Sequence, residues 1–159
     1  MTVIVYKGNK LVADSRATIT SEDGGTRVST CKKLFRKSVG RGKKKHDVII
    51  ATAGDSFPSL AFVEWYGSGK PKPESLLNLD AEFDCLVLTP DGLFQYDSWL
   101  VAEKIETEWH VIGCGAKAAQ AALLMGASPE RAVSITCQVD PYCALPLQVE
   151  SLGHKAKGK

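Results

Sequence analysis

The sequence predicts an α+β fold in which helices cover sheets built from antiparallel hairpins. Three observations lead there. Two short β-favouring runs are joined by Lys7-Gly8-Asn9-Lys10, and a later pair by Pro90-Asp91-Gly92, both of which carry hairpin-turn chemistry. Near the end, AKAAQAALLMG and SPERAVSITCQV read as two helices with no strand between them. The resulting order of strands, helix, strands, two helices and strand departs from the βαβα alternation of a parallel sheet.

Residues 3–6 and 11–13 form the first hairpin, and its register decides which side chains meet. A two-residue Gly8-Asn9 turn sets Thr2 against Ser15 and turns Asp14 to the other face, whereas a three-residue Lys7-Gly8-Asn9 loop sets Thr2 opposite Asp14. The sequence leaves both open. Residues 26–35 and 48–53 read as two further strands, separated by RKSVGRGKKKH, whose glycines and packed cations suit an exposed loop. After Gly54-Asp55, SFPSLAFVEWY places Phe57, Leu60, Ala61 and Tyr66 at helical spacing as a core face, with Ser56 as cap and Pro58 in the first turn.

GSGKPKPES is a linker, and SLLNL beyond it has room for about one helical turn. CLVLT and LFQYD flank the second turn, and WHVIGCG is a strand running into Gly113-Cys114-Gly115. The alanine-rich helix ends at Gly126, Ser128-Pro129-Glu130 opens the next, and PLQVESL is the last strand. Residues 1–152 are expected to form one domain, and residues 153–159, GHKAKGK, a basic tail.

A chain of 159 residues, 44% of them hydrophobic, can bury roughly two thirds of its unfolded surface as one domain. Twenty basic and 18 acidic residues give a net charge of +2, too mild to make nucleic acid the main partner. The basic segment at residues 36–46 lacks interleaved aromatics, which favours a solvated loop over a nucleic-acid patch. No apolar run approaches the roughly 18 residues of a membrane span. Five cysteines without a CxxC pair, and scattered His46, His110 and His154, show no zinc-ligand spacing. A reduced, cytoplasmic protein without metal or cofactor is the expectation.

Thr2 lies directly behind the initiator methionine and becomes the amino terminus if Met1 is removed. An alcohol is a poor nucleophile at neutral pH, but a terminal amine, with a reference pKa of about 7.7–8.0, can accept the hydroxyl proton on the same residue. Such a site needs a cation near the developing alkoxide. Lys33, set between Cys31 and Phe35 on a strand face opposite Lys32, reads as inward-facing, and an inward lysine needs a partner such as Asp14.

TVIVYKGNKLVADSRAT, KKLF, IIATAGDSF, IGCGAKAA and DPYC resemble, in this order, the landmarks of proteasome β-subunits and of HslV, the threonine-type N-terminal nucleophile hydrolases. The similarity runs from Thr2 to about Leu152. It implies a four-layer αββα sandwich of antiparallel sheets. It also implies Thr2 as nucleophile, Asp14 as the carboxylate orienting Lys33, and the Ala51 backbone N–H as oxyanion donor where glycine is usual. Cys114, Asp140 and Cys143 match a support shell near the amine in which both cysteines replace serines. A substrate strand would lie along Thr18 and residues 51–53, with Ala17, Cys31, Ile49 and Ala53 lining a small apolar first pocket.

The implied activity is a threonine endopeptidase in a homo-oligomeric ring or double ring, acting on peptides or unfolded protein. Members of the family normally have two long helices after the Gly-Asp landmark, and the shrinking of the second to SLLNL leaves docking of a regulatory ATPase open. Two alternatives stand beside this reading: a non-catalytic ring subunit that keeps Met1, and an amidase acting on small molecules.

Overall fold

Gly8 and Asn9 both adopt positive φ, 60° and 59°, in the computed structural model, which describes residues 1–21, 23–72 and 83–153. Two consecutive left-handed residues close a two-residue turn whose twist matches the strands on either side. They join β1 (Ile4–Lys7) to β2 (Lys10–Ala13), with Lys7 facing Lys10 and Ile4 facing Ala13. This is the register that sets Thr2 against Ser15.

β10 (Trp109–Ile112) pairs with β1 and β11 (Gln148–Ser151) with β2, giving a four-stranded antiparallel sheet in the order β10-β1-β2-β11. A second antiparallel sheet runs β5-β6-β7-β8-β9, from β5 (Leu34–Val39), β6 (His46–Gly54), β7 (Phe83–Thr89), β8 (Gly92–Tyr96) and β9 (Glu103–Ile105). β3 (Arg16–Thr20) and β4 (Thr26–Thr30) form a separate two-stranded ribbon.

Three apolar layers hold these sheets together. Ile4, Leu11 and Ala13 of the first sheet meet Leu34, Ile49, Leu86 and Leu88 of the second. On the outer face of the first sheet, Val3, Val5 and Val12 pack under Ala119, Leu123, Ala132 and Val133 of α2 (Ala116–Leu124) and α3 (Pro129–Val139). Outside the second sheet, Ile50, Cys85 and Val87 pack under Phe62 and Val63 of α1 (Ser56–Trp65). The result is the four-layer αββα sandwich. It explains why VIV, VIIA and CLVL are continuous apolar runs, since both faces of each strand are covered.

Several elements depart from the sequence reading. Residues 26–35 are not one strand: β4 ends at Thr30, and the chain crosses to the second sheet before β5 begins at Leu34. β5 then runs through Val39, into the segment expected as loop. Its cations sit on an edge strand and have partners: Arg36 Nη2 donates to Glu150 at 2.9 Å, and Lys37 Nζ donates to the Val63 and Glu64 carbonyls at 2.6 and 2.8 Å. Lys37 thereby satisfies carbonyls at the end of α1. Only a single 3-10 turn, Gly42–Lys44, is left of the expected loop's middle.

α1 presents the expected face only in part: Ala61 and Tyr66 pack against the core, as expected. Ser59, Phe62 and Val63 are buried, while Phe57 is 90% exposed and Leu60 48%. Asp55, not Ser56, occupies the cap position. Phe62 fixes this rotation because its ring packs among Trp65, Tyr66, Phe83 and Tyr96, with centroids 5.1 to 6.1 Å away. At the other helices the reading holds: the Ser128 hydroxyl accepts from Arg131 N at 3.2 Å with Pro129 leading α3, and Gly126, at φ 87°, follows α2. SLLNL and residues 154–159 lie outside the described residues. Among those described, no helix is long and apolar enough to cross a membrane.

Phe62→Ala should lower the unfolding free energy by about 3–5 kcal/mol. Phe57→Ala should change it by less than about 0.5 kcal/mol, both read by denaturant unfolding.

Candidate active site

Asp14 and Lys33 lie at the ends of ordered strands. β2 ends at Ala13 and β5 starts at Leu34, and each of the two residues keeps one backbone bond of the ladder, Asp14 N to Val3 O at 3.2 Å and Thr52 N to Lys33 O at 3.0 Å. The return bond of the Asp14 pair is replaced, since Val3 N donates to the Asp14 carboxylate, and the side chain reaches Lys33 even though the hairpin has the two-residue register that would turn it away. Lys33 Nζ donates to Asp14 Oδ1 at 2.7 Å, with side chains 4% and 0% exposed. The same oxygen accepts from Val3 N at 3.0 Å, and Oδ2 accepts from Arg16 N at 3.0 Å and Ala144 N at 3.2 Å. A buried carboxylate with four donors is fully engaged.

Thr2, 4% exposed, lies beside this pair. Its hydroxyl donates to the Met1 carbonyl at 2.6 Å, and Lys33 Nζ donates to the same oxygen at 3.2 Å. Two donors converging on one atom means that removal of Met1 leaves hydroxyl and ammonium facing the same space. On the other side, Thr2 N donates to Cys114 Sγ at 3.2 Å, and Cys114 Sγ donates back to Thr2 O at 3.4 Å.

The turn carrying Cys114 can approach this closely only because glycines flank it. A Cβ on Gly113, at φ 95°, would lie 2.2 Å from Thr2 O, and one on Gly115 would lie 2.9 Å from Val3 Cβ. Gly115 N also donates to Thr2 O at 3.3 Å. Cys143 and Asp140, from the segment after α3, stand next to Cys114, with donor atoms of all three within 4.8 Å of one another. Burial, reinforced by the neighbouring Asp14, Cys114 and Asp140, pushes the Cys143 thiol far above the ordinary range. All five cysteines carry free thiols.

Two cavities open at Thr2. One, of about 620 Å³, is lined by Thr2, Thr18, Ala53, Gly54 and Cys114. The other, of about 430 Å³, is lined by Ala17, Thr18, Cys31, Lys33, Phe35 and Leu60. The Thr18 hydroxyl is buried without a partner among the described residues. The fold thus brings Thr2, Asp14, Lys33, Cys114, Asp140 and Cys143 together, and sets Ala17 and Cys31 beside one cavity, Ala53 beside the other and Thr18 beside both.

Two expected residues lie elsewhere. Ile49 is fully buried between the sheets, and Ala51 is fully buried with Leu34 on one side and Leu86 on the other. Ala51 therefore sits inside the ladder and lines neither cavity. Thr52 N donates to Lys33 O at 3.0 Å, so alternation along β6 turns the next N–H on that edge, that of Gly54, toward the end of β5 and the cleft.

Gln148 went unnoticed in the sequence. Its side-chain oxygen accepts from Lys33 N at 2.8 Å and Leu34 N at 3.3 Å. Its amide nitrogen donates to Cys31 O at 2.8 Å, Ser15 Oγ at 3.0 Å and Asp14 O at 3.3 Å. It pins the bend that carries Lys33, and nothing in a lone glutamine on a terminal strand signals that role.

No family model and no curated protein matches the chain. Solved structures do. Eukaryotic HslV from Trypanosoma brucei aligns with 94% of this chain and 97% of its own at 18% identity and TM-score 0.58. BPH from Thiobacillus denitrificans covers 98% and 99% at 17% identity and TM-score 0.65, and is also known in complex with epoxomicin. Anbu, an ancestral β-subunit from Yersinia bercovieri, covers 94% of this chain and 80% of its own at 15% identity and TM-score 0.66. The chain has the N-terminal nucleophile hydrolase fold of these proteasome-like proteins.

Lys33→Ala should cost about 3–5 kcal/mol of stability, because it leaves a buried carboxylate without its cation. Asp14→Ala combined with Lys33→Ala should recover part of that loss, and a double-mutant cycle by urea unfolding measures the coupling.

Proposed function

We propose that the chain is a threonine peptidase that acts through Thr2 after loss of Met1. The observation that carries this reading is the buried Lys33–Asp14 pair at 2.7 Å whose ammonium also reaches, at 3.2 Å, the carbonyl to which the Thr2 hydroxyl donates. Once Thr2 is terminal, its amine takes the hydroxyl proton, and the Lys33 charge favours the alkoxide left behind. The oxygen attacks a peptide carbonyl, and the amine returns the proton to the leaving nitrogen. Water then hydrolyses the resulting ester by the same proton route in reverse.

The oxyanion donor in this mechanism is the Gly54 N–H, in place of the Ala51 N–H that the family resemblance implied. Gly54 lines both cavities and its N–H is on the open edge of β6, while Ala51 is held within the sheet. An extended peptide would lie across Thr18, which lines both cavities. Its side chain would enter the cavity of about 430 Å³ between Ala17, Phe35 and Leu60. Assembly into a ring, with substrate peptides or unfolded chains reaching the cleft from within, belongs to the same reading.

A second reading has support in Met1 itself. Its carbonyl accepts from both Thr2 and Lys33, which fits a structural ring subunit that retains the methionine. Intact mass of cell-derived protein separates the two, since the peptidase must lack one methionine.

The processed protein should hydrolyse fluorogenic peptides and gain the mass of one epoxomicin on Thr2. Thr2→Ala should lower the rate by about 10³-fold or more. Equal rates in the two proteins would remove the peptidase reading.

A further inference from the structure

We propose that Cys114, Cys143 and Asp140 form a binding site for a thiophilic divalent cation such as Zn²⁺, closed by the Thr2 amine, through which the ion silences the nucleophile. The silencing rests on the peptidase reading above; the binding of the ion by the three side chains does not.

The donor atoms of the three side chains lie within 4.8 Å of one another. In a tetrahedral site with Zn–S of about 2.3 Å and Zn–O of about 2.1 Å, ligand atoms stand roughly 3.5–3.8 Å apart, so the cluster needs only a small contraction. Two sulfurs and one carboxylate oxygen are a donor set for zinc, cobalt or cadmium, and a poor one for magnesium or calcium, which take oxygen cages. Sequence spacing hid the set because its sulfurs come from the turn before α2 and the segment after α3, which only the fold brings together.

The fourth position points at the reactive end of the chain. Thr2 N lies 3.2 Å from Cys114 Sγ. While Met1 is attached this atom is an amide and cannot ligate; after its removal it is an amine with a free electron pair. An ion held there occupies the base that must take the hydroxyl proton. Access and support are both present: Cys114 is exposed and lines the cavity of about 620 Å³, while Cys143 is 2% exposed against the helices. Asp140 is oriented by Tyr142 N, which donates to Oδ1 at 2.8 Å and leaves Oδ2 for the ion.

Binding releases two thiol protons and, where the Thr2 terminus is an ammonium, a third from it. Affinity should therefore rise with pH, by up to about 1000-fold per unit while all three groups are protonated in the free protein.

The test uses the full processed chain kept reduced with a phosphine and titrated with Co²⁺. One equivalent should produce a thiolate-to-cobalt charge-transfer band and tetrahedral visible bands, both removed by Zn²⁺. Cys114→Ser should halve the charge-transfer intensity, the double variant C114S/C143S should abolish it, and Asp140→Asn should weaken binding by about tenfold or more. Circular dichroism of each variant checks that it is folded. In the peptidase assay, Zn²⁺ should inhibit the wild type reversibly, with a chelator restoring the rate, and C114S/C143S should lose that sensitivity. An octahedral cobalt spectrum, no spectrum with all thiols still reactive, or a Cys114–Cys143 disulfide that survives the reductant would each overturn the site. An inactive protein that still gives the two-thiolate cobalt spectrum would overturn the peptidase reading and leave the metal site standing.

Discussion

A lysine ammonium buried against one carboxylate dictates how the centre of this molecule is built. Removing two charges from water costs several kcal/mol per ion unless their remaining hydrogen-bonding capacity is met. Asp14 meets its share through backbone N–H groups of Val3, Arg16 and Ala144 as well as the Lys33 ammonium. Those groups come from the first strand, the entry to the β3–β4 ribbon and the segment leading to β11. One carboxylate thus ties the start of the chain to the end of the domain. The β1–β2 ladder gives way at this point: Asp14 N still donates to Val3 O, but Val3 N donates to the Asp14 carboxylate instead of its carbonyl.

The same demand explains the bend at residues 31–33. To deliver Lys33 inward, the chain must leave one sheet and enter another within three residues, which leaves the Lys33 and Leu34 N–H groups and the Cys31 carbonyl to be satisfied from elsewhere. Gln148 does so from β11: its oxygen accepts from Lys33 N and Leu34 N and its nitrogen donates to Cys31 O, while the same nitrogen reaches Ser15 Oγ and Asp14 O on the neighbouring segment. A side-chain amide is suited to this because it offers donors and acceptor at once and carries no charge into a site whose charges are already balanced. On the opposite flank, Gly113 and Gly115 let the Cys114 turn close on Thr2 where any side chain would collide.

What the sequence made legible was local. The Gly8-Asn9 and Pro90-Asp91 turns, the Ser128-Pro129 start and the Gly126 stop are set by a few neighbouring residues, and all appear where their chemistry put them. What depended on distant packing was not legible. The rotation of α1 is decided by an aromatic cluster around Phe62, so counting apolar residues at helical spacing selected Ala61 and Tyr66, which pack against it, together with Phe57 and Leu60, which face outward. Ala51 and Ile49 are central in the longest strand, and only the pairing of β6 on both sides reveals that they are closed off from the cleft. For the candidate site, residue types and order nominated Thr2, Asp14 and Lys33, which the fold places side by side, but the register that joins them could not be chosen, since strand alternation argued against an outcome in which Val3 N turns to the Asp14 carboxylate.

The two cysteines beside Thr2 alter what this framework can do. A hydroxyl in each place could pass a proton or hold a water, whereas a thiol is a weaker donor and, once deprotonated, a strong ligand and nucleophile. Burial resists deprotonation of Cys143, so by itself the pair favours the neutral, weakly bonding state. A cation shifts that balance, because it replaces both protons and is held by the same geometry that keeps Cys114 against the chain start. A short glycine-flanked turn, a buried carboxylate neighbour and a fixed Thr2, which would serve proton transfer in the proposed peptidase, also hold three donors around one point. Two thiols at these positions therefore set how the proposed site responds to its surroundings without altering the fold that builds it.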